Sequence, residues 1–280
     1  MASASPTVRR RELGARLRAL RLASGLTAED VAARMEVSLA KISRIETGAR
    51  GVSVVDLRFL CDLYQASTED RDRMLALSRE GRRRSWWQEY GLPDSAQTFT
   101  GLEDAAVSMS VYETSFVPAL LQTEDYASAL TQGAALDTSA DQVEQYVRAR
   151  ITRQDRLRAG SLEFWAVVDE AALLRPIGGP EVAVAQLEHL VERSRAPQVT
   201  VQVLPLEAGA HPGMDSAFTI LHLQEVTDVV YVEGLIGQFF LQSPNDLARY
   251  RRAFDQLRAI ALSPQDSRRR IQGAADRLSP

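Results

Sequence analysis

The stretch Thr27–Gly48, TAEDVAARMEVSLAKISRIETG, decides how the first part of the chain folds. Thr27 is placed to cap a helix, and Asp30, three residues on, makes a partial capping box. Leu26, Val31, Ala32 and Met35 recur at helical spacing, so this helix has one buried face. Glu36 and Val37 supply a turn. Ser38 then caps a second helix, which buries Ile42 and Ile45 and stops at Gly48, a residue type common just past a helix end. Two short helices crossing over so tight a turn make a helix-turn-helix.

That geometry assigns roles. With Ile42 and Ile45 inward, Ser38, Leu39, Ala40, Lys41, Ser43 and Arg44 lie near or on the outer surface. The second helix of such a motif can enter the DNA major groove with its N-terminal residues toward base edges. Lys41 and Arg44 can meet phosphate or guanine, and Leu39 and Ala40 suit a thymine methyl. Thr27, at the start of the first motif helix, and Arg50, in the following loop, are further candidate contacts. A plain helical hairpin with a solvated basic face would show the same pattern, so the flanks decide.

The flanks carry Leu-x-x-Leu-Arg, then Gly-Leu-Thr, then Val-Ser-x-x-x-Ile-Ser-Arg-Ile-Glu-x-Gly, within LRALRLASGLTAEDVAARMEVSLAKISRIETGAR. This resembles the Xre-type, or lambda-repressor-like, helix-turn-helix family over about residues 11–79. The resemblance implies an all-α, five-helix domain that binds double-stranded DNA. Many members carry Gln where this chain has Ala28, so backbone N–H groups at that helix start would have to meet phosphate. The expected helices run from about Arg11 to Ala23, through the motif pair, from a Ser53/Asp56 capping box to Tyr64, and from a Ser67/Asp70 box to Glu80-Gly81. Residues 1–8 are expected to be disordered, and Arg9, Arg10 and Arg11 to form an arm or a solvated tail. We place this domain at 9–80 and expect residues 1–84 to fold alone. One recognition helix spans few base pairs, so a homodimer on a roughly palindromic site is expected.

The net charge of −4 hides an asymmetry. Residues 1–84 carry a net +6 and residues 85–280 a net −10, so only the first part is suited to nucleic acid. Apolar content of 45% and charged content of 25% fit a soluble globular protein. No apolar run is long enough to cross a bilayer and no signal peptide precedes the first helix. The single cysteine, Cys61, reads as a small core residue. A cytoplasmic protein without membrane contact is the expectation.

Residues 81–98 read as a linker, with Trp86 and Trp87 expected to pack between domains. Residues 99–278 read as a regulatory domain of α/β (α+β) class, giving a multidomain chain. Helices are expected at 99–107, 123–132, 139–158, 180–194, 244–261 and 264–278. Strands are expected at Ser108–Glu113, Leu162–Val168, Val199–Leu204, Ala217–Leu223 and Val229–Glu233, where Thr200, Gln202, Thr219 and His222 alternate with apolar residues.

No catalytic signature is present: there is no G-x-S-x-G, phosphate-binding Gly-rich loop or H-E-x-x-H. We therefore expect no enzyme, no cofactor and no metal site. Glu113, Asp169, Glu170 and Glu233 lie at or just past strand ends, where pockets of α/β folds open. Arg150 and Arg153 belong to an arginine-rich helix that could take an acidic ligand or partner. His211 sits in a Gly-Ala-His-Pro-Gly loop, and Trp165 and Tyr231 would line an apolar pocket if one exists. The same carboxylates and arginines could equally pair on the surface, and His222 reads as structural.

A second resemblance covers about residues 99–278. The segments YETSFVPALLQTEDYA, RARITRQDRL, VVDEAALLRPIGG, VLPLEAGAHPGMDSAFTIL, VVYVEG and FDQLRAIALSPQDS are similar to the C-terminal domain of WhiJ-like actinobacterial regulators. This implies a transcriptional regulator that takes a signal from a small partner protein encoded nearby. Ala119 stands where that family has Gly, which matters if the position needs a positive φ. The alternatives are a small-molecule sensor and, more remotely, an enzyme with an attached DNA-binding module.

Overall fold

The computed structural model describes residues 5–134, 138–224, 226–235 and 237–279. It divides into two compact units, Met1–Gln88 with Asp94–Ala105, and Glu89–Pro93 with Ala106–Pro280. The first is helical and the second mixes a six-stranded sheet with helices, so the chain is a multidomain α and β protein.

The first unit holds α1 (Pro6–Ala23), α2 (Ala28–Arg34), α3 (Leu39–Glu46), α4 (Val54–Leu63), α5 (Thr68–Glu80) and α6 (Asp94–Glu103). Helix α1 begins earlier than expected because Ser5 caps it and Pro6 occupies its first turn. Thr7 and Val8 are buried, so these residues are ordered; residues 1–4 lie outside the described ones. The expected basic arm is likewise helical. Arg9 pairs with Glu12 at 3.1 Å and Glu80 at 2.7 Å, while burial pushes the Arg11 guanidinium down to about 10. Leu13, Leu17, Val31, Ile42, Ile45, Leu57, Leu60 and Met74 form the core, with Cys61 among them.

The stretch expected to link two domains contains a short 3-10 turn, Trp86–Tyr90, and then α6. Trp87 is buried, and a Cβ added at Gly101 would lie 2.1 Å from the Thr7 hydroxyl and 2.9 Å from the Trp87 ring. The Trp86 indole N–H donates to Asp104 at 3.3 Å. These contacts fall inside the first unit, where the sequence reading placed the tryptophans between domains.

The second unit runs β1 (Ser108–Glu113), α7 (Glu124–Ala134), α8 (Ala140–Arg153), α9 (Asp155–Arg158), β2 (Glu163–Asp169), α10 (Glu170–Leu174), α11 (Pro180–Arg193), β3 (Val199–Leu204), β4 (Phe218–His222), β5 (Val229–Gly234), β6 (Gly237–Leu241), α12 (Pro244–Ile260) and α13 (Pro264–Leu278). The sheet order is β3-β2-β1-β4-β5-β6. Strands β1, β2 and β3 are parallel, while β4, β5 and β6 run antiparallel to their neighbours. Helices α12 and α13 start on Ser243-Pro244 and Ser263-Pro264 as their sequence indicates. The helix expected at 139–158 is interrupted at Gln154, whose side chain donates to the backbone oxygens of Ala119 and Gln122 at 3.2 and 2.8 Å. Ala119 lies in a 3-10 turn and is not among the described residues with positive φ, so the missing glycine causes no strain there.

One sheet face packs Tyr112, Val167, Leu204, Phe218, Ile220 and Val230 against Leu247, Phe254 and Leu257 of α12. The β3-to-β4 connection must pass β2 and β1 at their carboxyl ends, because β4 lies on the far side of β1. Among the described residues no helix is long and apolar enough to cross a membrane.

Candidate nucleic-acid interface

The motif helices form as their caps dictate. Thr27 and Asp30 complete a full capping box: Asp30 N–H donates to the Thr27 hydroxyl at 3.1 Å, and Thr27 N–H to the Asp30 carboxylate at 2.9 Å. The hydroxyl also donates to that carboxylate at 2.7 Å, which holds the Asp30 carboxyl below its ordinary range. Ser38 accepts from Lys41 N–H at 3.3 Å. Glu36 takes φ 54° in the turn, a left-handed conformation that lets the two helices meet without a glycine.

Helix α3 turns Ile42 and Ile45 inward and leaves Ser38, Leu39, Ala40, Ser43 and Arg44 exposed. Leu39, 44% exposed, is a large apolar side chain held in water at the start of the helix. Thr27 and Arg50 are exposed as well, and Arg50 N–H donates to Arg44 O at 3.0 Å, folding the loop back on the helix end. Lys41 is different: its ammonium lies 3.0 Å from the Asp56 carboxylate of α4.

Two further pairings position this face and have no local signature. Arg21 forms a bidentate pair with Glu46 and donates to Leu26 O at 2.9 Å, tying α1 to the end of α3. Gly14 of α1 meets the same helix end, since a Cβ there would lie 2.4 Å from Ile45 O. Arg21 and Glu46 both stand in the quoted motif, as the last residue of Leu-x-x-Leu-Arg and the Glu of Ile-Glu-x-Gly, which is the signal that could have found them.

The candidates of the second unit fall into separate groups. Glu113, Glu233, Tyr231, Arg150 and Arg153 interact on one side of the sheet. Burial and the Glu233 charge push the Glu113 carboxyl up to about 8, against an opposing effect of Arg150. Burial and Glu233 raise the Tyr231 phenol, with Arg153 opposing. Arg150 also donates to Gln122 at 2.8 Å, and Gln122, Gln154 and Gln186, all buried, hold the Val117–Thr123 backbone.

The second group sits where the β3-to-β4 connection passes. His211 Nε2 is 3.9 Å from Asp169, its ring packs edge-on to Tyr112 at 6.0 Å, and Nδ1 accepts from Gly213 N–H at 3.3 Å. The Tyr112 hydroxyl is buried without a hydrogen-bond partner among the described residues, and burial and Asp169 raise its phenol. Asp169 caps α10, and Glu170 pairs with Arg270 at 2.6 Å, an ordinary structural role for both. His222 binds Asp228 at 2.9 Å.

Trp165 and Tyr231 cannot line one pocket. Trp165 stands beside Ser110, Ser110 beside Ile220 and Ile220 beside Val230, so Tyr231, the next residue, points to the opposite face. Trp165 instead donates to Gln202 at 2.9 Å beneath the Arg258 guanidinium, 5.0 Å from the ring centroid. Among the described residues no group of three His, Cys, Asp or Glu is placed to hold a metal ion.

Residues 12–74 match the family model of a helix-turn-helix domain, and residues 96–273 match that of a domain of unknown function, DUF5753. No curated protein matches the chain. No solved structure matches it either.

Proposed function

The chain belongs to the DUF5753 family and carries a helix-turn-helix domain ahead of that match, and from this premise we propose that it is a sequence-specific transcriptional regulator of the Xre type. The observation that carries the reading is α3, a two-turn helix with a dry inner face and an outer face of Ser38, Leu39, Ala40, Ser43 and Arg44. That face combines an apolar contact for a thymine methyl with a guanidinium for guanine. Two copies act together on a roughly two-fold site, each supplying one such helix.

The second unit takes the signal, in our reading from a small protein partner of the kind associated with WhiJ-like regulators. Its outermost strand, β6, supports this: β6 ends the sheet, and Phe239 is 59% exposed on it. An open apolar edge suits strand addition by another chain. The sensor reading has its own support in the buried, unbonded Tyr112 hydroxyl beside His211 and Asp169.

Selection of bound duplexes from a random pool, followed by footprinting and sedimentation of the complex, tests the DNA reading. A two-fold site occupied by two copies is expected, and a single half-site bound by a monomer overturns the dimer. Adding the purified neighbouring protein to that complex tests the input. A change in operator affinity supports the partner; no binding to the full chain, with a small molecule shifting affinity instead, replaces it with the sensor.

A further inference from the structure

The chain has 33 Lys and Arg residues, and a single one of them, Lys41, is lysine. It lies on the outer part of the recognition helix, and its ammonium is 3.0 Å from Asp56 with both side chains about three-quarters buried. Asp56 is the third residue of a helix capped by Ser53, a position that recurs in this protein. At Thr27/Asp30, Ser67/Asp70, Ser243/Asp246 and Ser263/Asp266 the Asp carboxylate accepts from the capping hydroxyl. At Ser53/Asp56 only half of that arrangement forms: Asp56 N–H donates to Ser53 at 2.9 Å, while the carboxylate turns to Lys41.

We propose that Asp56 is a specificity-determining residue of the DNA interface, which withholds Lys41 from non-cognate phosphate and yields it only on the operator. The proposal rests on the DNA-binding reading above. Non-specific affinity comes almost wholly from cations that replace phosphate counterions. An ion pair with no net charge contributes nothing to that exchange. On the operator, α3 is seated in the groove, and a base acceptor or a fixed phosphate can take the ammonium, while the Asp56 carboxylate can accept from a cytosine amino group. Lysine suits this exchange better than arginine, because a compact ammonium can change partners without breaking a two-bond fork.

The test compares wild type, Asp56→Asn, Lys41→Gln and the double variant as full chains, on operator and on a scrambled duplex, over a salt series. Asp56→Asn should steepen the salt slope on the scrambled duplex by about 0.9 and raise that affinity roughly tenfold at 0.1 M salt. Lys41→Gln alone should leave the scrambled-duplex slope unchanged, and should cancel the effect of Asp56→Asn in the double variant. An unchanged slope in Asp56→Asn, or a slope lost in Lys41→Gln alone, overturns the proposal. A second measurement needs no substitution. With one lysine in the chain, selective ¹⁵N-lysine labelling gives one side-chain ammonium signal, which should move on operator and stay in place on the scrambled duplex. Movement on both overturns the proposal. Wild type that binds neither duplex overturns the DNA-binding reading itself, a result distinct from the others.

Discussion

Arg21 grips Glu46 through two parallel N–H···O bonds, Nε to Oε1 at 2.6 Å and Nη2 to Oε2 at 2.9 Å, with each side chain 9% exposed. Arg21→Met would strand the Glu46 carboxylate and the Leu26 carbonyl in the interior. The expected loss is about 3–5 kcal/mol of stability, and Arg21→Met with Glu46→Leu should regain most of it. Denaturant unfolding of the full chain checks both variants.

Gly14→Ala should be costly for a different reason. The added methyl carbon would lie 2.4 Å from Ile45 O and 2.6 Å from Glu46 O, which are backbone atoms that cannot swing away. Helix α1 must shift off α3, for about 1–3 kcal/mol, and DNA affinity should fall with it. A variant with wild-type melting temperature and operator affinity would contradict this packing.

Arg44→Ala should weaken operator binding by about 1–3 kcal/mol if the guanidinium reads guanine, and Leu39→Ala should relax preference at a thymine. Both side chains are exposed, so thermal stability should stay at the wild-type value. Binding to single-substituted operators checks the pair, and normal binding by both would remove α3 from the interface.

The Glu113 carboxyl sits at about 8 in the fold against an ordinary 4.5. Between those values the folded chain keeps a proton that the unfolded chain has released. Its contribution to stability is therefore complete below the unfolded value and is lost as pH rises toward about 8. Glu113→Gln should flatten that part of the profile. Thermal unfolding of the second unit across this window, compared between wild type and variant, measures it.

Much of the fold was legible because its punctuation is local. Thr27, Ser38, Ser53, Ser67, Ser243 and Ser263 all cap helices at the positions their spacing indicates. Ser5-Pro6 carries the same start signal, yet lacks the Asp that accompanies it elsewhere, and α1 was begun too late. Strand β6 lacks the alternation that makes β4, equally short, readable, since GQFFL sets three apolar residues in a row, and helix α10, EAALL, is too short for a helical period to declare itself. In α3, the spacing of Ile42 and Ile45 indicates their burial, and with it the exposure of Ser38, Leu39, Ala40, Ser43 and Arg44. The Lys41–Asp56 pair could not be read, since 15 residues separate the partners and only the folded chain brings them together, while Arg21–Glu46, 25 residues apart, is marked only by the motif in which both residues stand. The same holds for the opposite faces of Trp165 and Tyr231, which depend on the register of four strands.

Helix α6 has a practical consequence. The chain leaves the first unit after Gln88, visits the second for Glu89–Pro93, and returns for Asp94–Ala105. No single cut in the sequence yields both units whole. A fragment ending at residue 84, which sequence reading alone would choose, discards Trp87 and the helix that lies over Thr7. Chimeras that graft the first unit onto another domain should therefore exchange at Ala105–Ala106 and carry the Glu89–Pro93 detour along.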